Sequence, residues 1–151
     1  MLDIVIENEH WKKLRGLQPA TKRAVAATLN ALQLQKQLTI LFADDATLQA
    51  LNTRWRGKNM PTNVLSFAAS RDLKWPRGAA RPLGDIALAF ETVVREAQAS
   101  GKTLKDHTSH LVVHGILHLL GYDHDNTADA AKMEAREIRI LKKLGIADPY
   151  Q

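Results

Sequence analysis

Three histidines fall within eleven residues of one apolar stretch, HGILHLLGYDH, residues 114 to 124. Four residues of α-helix turn the chain by about 400°, so His114 and His118 share a face, roughly 40° apart and one turn along the axis. Both rings can point at one ion. Val113, Ile116, Leu117, Leu119 and Leu120 make the rest of that helix apolar, which implies burial, and a buried imidazole needs partners for its nitrogens. Gly121 can take a positive φ and swing the chain back across the helix end, which lets His124 approach the same point. Three neutral imidazoles leave the fourth position of a tetrahedral Zn²⁺ open to water, as in a catalytic site rather than a structural one. His107 and His110 lie on nearly the same face, one or two turns earlier, and His110 is a candidate to support a ligand or touch substrate.

Composition narrows the alternatives. The chain has 151 residues, 45% hydrophobic and 25% charged, which suits one globular domain spanning residues 1 to 151. No cysteine is present, so a thiolate nucleophile, a disulfide or a Cys-ligated metal is excluded, and any metal must be held by His, carboxylate or water. The opening MLDIVIENEH lacks the basic and apolar regions of a signal peptide, and no apolar run is long enough to span a membrane. A cytoplasmic protein with no membrane partner is expected. The net charge of +5 favours a polyanion as partner, since neutralising phosphates releases condensed counterions.

The elements that must position the histidines follow from periodicity. LDIVIE (2 to 7), QLTILFA (37 to 43), VLSFAA (64 to 69) and DIALAF (85 to 90) read as four strands. Helices are expected from about Pro19, after a cap at Asp44 or Asp45, from Glu91 to Ser100, from Thr103 to Leu120, and from Thr127 to Gly145. The last carries Met133, Ile140, Leu141 and Leu144 on its apolar side. This order suggests a small sheet with helices packed against it. Between the third and fourth strands, RDLKWPRGAARPLG reads as a long loop whose Arg71, Lys74, Arg77 and Arg81 bracket Trp75, offering cations for phosphates and a ring for stacking a base.

HLVVHGILHLLGYDH, with LNTRWRGKNMPTNVLSF and LGDIALA, resembles the YbeY family of bacterial endoribonucleases over roughly residues 44 to 125. The resemblance implies an α+β, zincin-like domain: a mixed four-stranded sheet with about five helices, the metal-binding helix central. It also implies one Zn²⁺ per chain on His114, His118 and His124, a functionally essential Arg56, and single-stranded RNA as substrate. The expected role is ribosomal RNA maturation, including processing of the 16S 3′ end, and ribosome quality control. Ribosomal or small-subunit proteins are implied partners, and DNA is not an expected substrate. A guanidinium at position 56 can clamp a phosphate bidentately, and Lys58 can position the RNA backbone. Asp85 and Asp123 are candidates to orient ligands or relay protons, against simpler readings as a strand-end cap and a turn residue. Two departures stand out. Gly115 occupies the place where metzincin peptidases carry their general-base Glu, and Asn63 stands where the family more often has Asp. A zinc peptidase and a non-catalytic RNA-binding assembly factor remain as alternatives.

Overall fold

The computed structural model describes residues 2–32, 36–59, 62–69 and 81–151, with Arg81 described through its backbone alone. Strands β1 (Leu2–Ile6), β2 (Lys36–Ala43), β3 (Val64–Ala68) and β4 (Arg81–Ala89) form one sheet in the order β1-β2-β4-β3. The β1–β2 and β2–β4 pairs are parallel and β3 runs antiparallel to β4, so β3 is an edge strand among the described residues. Among the described residues, six helices surround the sheet: α1 (Glu9–Lys12), α2 (Leu17–Ala31), α3 (Asp45–Arg56), α4 (Phe90–Ala99), α5 (Leu104–Leu119) and α6 (Thr127–Lys143).

Alternation along β4 decides which helix covers which face. Ile86 and Leu88 join Leu38, Ile40 and Phe42 in the larger core with Val112, Val113, Ile116 and Leu117 of α5. Ala87 and Ala89 point the other way and meet Ala43, Leu65 and Leu48 of α3, a smaller cluster whose alanines allow that helix close approach. The side chains of α5 are apolar nearly all round because α2, α4, α6 and the sheet all pack against it. The central helix expected from sequence is therefore observed. Among the described residues, no helix is long and apolar enough to cross a membrane.

Two features depart from the sequence reading. Helix α1 is a single turn, too short to leave a periodic signal. It is pinned by Trp11, fully buried, whose indole Nε1 donates to the carbonyl of Ala43 at 2.8 Å. Strand β4 begins at Arg81 rather than at position 85, because Pro82 and Gly84, residues typical of loops, sit at a register irregularity opposite Gln37 and Leu38. Gly84 has φ +149°, and a Cβ there would lie 2.2 Å from the carbonyl oxygen of Phe67. Only glycine fits that close approach. Arg81 is accordingly a strand residue paired with Lys36, not a loop residue. Arg71, Lys74, Trp75 and Arg77 lie outside the described residues.

Candidate metal centre

The two helical histidines are placed by α5, which starts on Thr103, whose hydroxyl accepts from the Asp106 amide at 3.1 Å. After Leu119 the helix closes in a Schellman pattern: Gly121 N–H donates to His118 O and Tyr122 N–H to Leu117 O, both at 3.0 Å. Gly121 takes φ +97°, the turn needed to bring the chain back. His124 then arrives beside the helical pair. Nε2 of His118 lies 3.0 Å from Nε2 of His114, and the ligand atoms of His114, His118 and His124 all lie within 4.8 Å of one another. Nitrogens bound at about 2.0–2.1 Å to a tetrahedral ion stand roughly 3.3 Å apart, so this donor set suits one cation. The convergence expected from spacing is present.

Protonation agrees with that fit. Burial lowers the His118 pKa first, with the neighbouring His114 and His124 adding to it, which favours the neutral, ligating imidazole. His114 is set by a residue that sequence reasoning missed. Glu137 of α6 is fully buried, and its Oε1 lies 2.5 Å from Nδ1 of His114. Its other oxygen, Oε2, lies 2.9 Å from Nε2 of His110 and also accepts from the hydroxyl of Tyr150. Burial pushes the Glu137 carboxyl up, but hydrogen bonds from His110 and His114, the charge of His114 and the Tyr150 hydroxyl outweigh it and bring the pKa down to about 2. An ionised carboxylate can only accept, so Nδ1 of His114 donates to Glu137 and Nε2 is the nitrogen turned towards His118 and His124.

A cleft of about 550 Å³ opens over these rings, lined by Arg56, Lys58, Thr62, Asn63, Ser66, His114, His118 and His124 among others. No carboxylate lines it among the described residues. Arg56 ends α3, and its Nη2 donates to the carbonyl of Ser66 on β3 at 2.6 Å while the guanidinium lies 5.7 Å over the Phe67 ring. It forms no ion pair among the described residues. One edge of the guanidinium is pinned and further donors remain for a ligand in the cleft.

Other candidates fall elsewhere. Asp85 is exposed and lines a neighbouring cavity with Val5, Glu7, Thr39, Trp55 and Phe67 on the α3 side of the sheet, which adjoins the histidine cleft at Arg56, Ser66 and Ala68. Asp123 accepts from the His124 amide at 2.6 Å, so it shapes the turn rather than meeting an imidazole. His110 meets Glu137 instead of entering the cleft. Gly115 faces the sheet: an added Cβ would stand 3.1 Å from both Ile86 Cδ1 and Ser66 Oγ.

Asn63 also has a specific partner. Its Nδ2 donates to Glu96 at 3.0 Å, its Oδ1 accepts from the Val64 amide at 2.6 Å, and Glu96 accepts from Nε2 of His107 at 2.9 Å. An aspartate here would face the Glu96 carboxylate without a donor. Asn63→Asp should cost about 1–3 kcal/mol at neutral pH. The deficit should shrink as acid supplies a proton for the two carboxyls to share, which thermal melts from pH 8 to pH 5 would reveal. A variant as stable as the parent at every pH would refute the assignment of these bonds.

Comparison with known proteins decides which family carries this constellation. The family model described as Endoribonuclease YbeY matches residues 5–145. The chain belongs to the YbeY family. A relative named Endoribonuclease YbeY from Paramagnetospirillum magneticum is 56% identical over 133 residues, covering 85% of this chain and 81% of that one. Those from Jannaschia sp. and Bartonella bacilliformis, of the same name, are 48% and 45% identical, covering 99% of this chain and 99% and 96% of theirs. The solution structure of a Thermotoga maritima protein shares the fold, with a TM-score of 0.65 at 21% identity, covering 95% of this chain and 89% of that one. Within a YbeY chain, the histidine cluster is a group able to hold a metal ion.

Proposed function

We propose that this chain is a single-domain, zinc-dependent endoribonuclease that acts on ribosomal RNA during its maturation, with His114, His118 and His124 as the zinc ligands. The observation that carries the reading is the meeting of three imidazoles, one of them held by a buried carboxylate, with Arg56 and Lys58 in one cleft free of carboxylates among the described residues. The relatives named Endoribonuclease YbeY support the same chemistry. A cleft with two cations and no anionic lining suits a phosphodiester and repels neither of its oxygens.

Bound zinc would supply a Lewis acid and a water of lowered pKa. The chain does the rest. Arg56, steadied on Ser66 O, holds the scissile phosphate and stabilises charge growing on it, while Lys58 fixes the backbone beside it. Glu137 retains the proton on Nδ1 of His114, which would leave Nε2 free to hold the ion. Gly115 moves no proton, and the described lining offers no carboxylate base. Activation of the attacking oxygen would then fall to zinc held on His114, His118 and His124, or the nucleophile would be the ribose 2′-OH.

The test is metal content by elemental analysis together with cleavage of a ribosomal RNA fragment. About one zinc per chain and cleavage lost on chelation are expected. Arg56→Ala should keep the zinc while cleavage falls by about 10²-fold. A product ending in a 2′,3′-cyclic phosphate would assign the attack to the ribose. Protein with stoichiometric zinc that binds the RNA and never cuts it would overturn the enzyme reading in favour of an assembly factor.

A further inference from the structure

The segment after α6 returns to the metal centre. Gly145 N–H donates to Lys142 O and Ile146 N–H to Leu141 O, which closes the helix, and the chain then runs back along α5. Two contacts settle its course. Asp148 Oδ1 accepts from the Tyr150 amide at 2.8 Å, and Lys102 Nζ reaches the carbonyl of Pro149 at 3.4 Å. The Tyr150 ring stands edge-on to His110, with centroids 5.8 Å apart. Tyr150 is 45% exposed, yet its hydroxyl turns inward and donates to the fully buried carboxylate of Glu137. An exposed tyrosine that sinks its polar tip into a buried network does more than cover surface.

The carboxylate shows what the hydroxyl contributes. Among the described residues, Oε1 serves His114, and Oε2 receives His110 and Tyr150. A glutamate has three rotatable bonds, so a single donor on Oε2 leaves the plane of the carboxylate able to swing. Two donors converging from α5 and from the returning segment hold that plane, and with it the direction in which His114 presents Nε2. Groups that orient a ligating imidazole through its second nitrogen typically change metal affinity 10–100-fold when removed. We propose that Tyr150 is a positioning residue of the metal centre, its hydroxyl locking Glu137 against His114 and thereby setting the affinity for the ion. The proposal rests on the histidine reading given under Proposed function, and it adds a residue lying 26 positions beyond His124 in the chain.

Phenylalanine keeps the ring on His110 and removes only the hydroxyl, so Tyr150→Phe isolates the bond. Wild type, Tyr150→Phe and Tyr150→Ala would be stripped of metal, checked for folding by thermal melts, and titrated with zinc against a chromophoric chelator. Tyr150→Phe should bind zinc about tenfold more weakly, Tyr150→Ala at least as weakly, and the ¹⁵N signals of His114 in metal-free Tyr150→Phe should show less of the Nδ1–H form. A purely structural tyrosine would lower the metal-free melting temperature and leave zinc affinity unchanged. Wild-type affinity in Tyr150→Phe, or weakening in Tyr150→Ala alone, overturns the proposal. Wild-type protein that takes up no zinc fails at an earlier point, because then the histidine reading itself is lost and Tyr150 with it.

Discussion

Glu137→Ala is expected to unfold at a markedly lower temperature than the parent and to hold metal 10–100-fold more weakly. The carboxylate is fully buried and receives hydrogen bonds from His110, His114 and Tyr150. Removing it leaves two half-buried imidazoles and a hydroxyl without their acceptor and opens a space beside α6. Breaking a buried charged network by deleting one partner costs about 3–5 kcal/mol, which for a chain of this length is roughly 10 °C in melting temperature. Glu137→Gln keeps one acceptor oxygen and should fall between the two. Calorimetry and chelator competition on the same preparations check both effects. If Glu137→Ala melts within about 2 °C of the parent and binds zinc equally well, the carboxylate does not orient His114.

That residue also shows where sequence reasoning stopped and why. Met133, Ile140, Leu141 and Leu144 mark the buried side of α6 by helical spacing, and position 137 falls on the same stripe, one turn after Met133. A carboxylate in an apolar stripe is a signal that it has a buried partner, so Glu137 was legible. Tyr150 was not. It lies beyond the helix with no periodicity around it, and only the path of the chain brings it to Glu137. The three histidines were legible because helical geometry alone puts two on one face and Gly121 supplies the return. Arg56 was placed by likeness of motif, but its anchor on Ser66 depends on β3 lying beside the end of α3, a long-range fact that local pattern does not carry. The start of β4 was hidden for the opposite reason. Pro82 and Gly84 have the composition of a loop, and pairing with β2 overrides that preference.

The absent general base of the peptidases leads to a second large effect. Gly115→Glu would recreate the histidine–glutamate pair of those enzymes in sequence, yet the structure sets the first atom of the new side chain against the sheet. A Cβ at 115 already stands 3.1 Å from Ile86 Cδ1 and from Ser66 Oγ, and Ile86 is fully buried in the core between α5 and the sheet. Ser66 Oγ also donates to the carbonyl of Gly115 at 3.1 Å, so helix and edge strand touch at this point. Overpacking costs about 1–3 kcal/mol, and an unpaired carboxylate pressed into the same contact adds to it, so a loss of about 3 kcal/mol or more is expected. Gly115→Ala asks its neighbours to move only by a few tenths of an ångström and gains helix propensity, so it should change stability by less than about 1 kcal/mol. No peptidase activity should appear in either variant. Arg56 donates to the carbonyl of Ser66 on β3, so that group is already taken rather than free to pair with an added strand of polypeptide. Denaturant unfolding reads the first effect, and zinc-dependent digestion of a denatured protein reads the second. A stable Gly115→Glu protein that cuts polypeptide would mean that position 115 faces the metal rather than the sheet, and that the cleft accepts a peptide where a phosphodiester is expected.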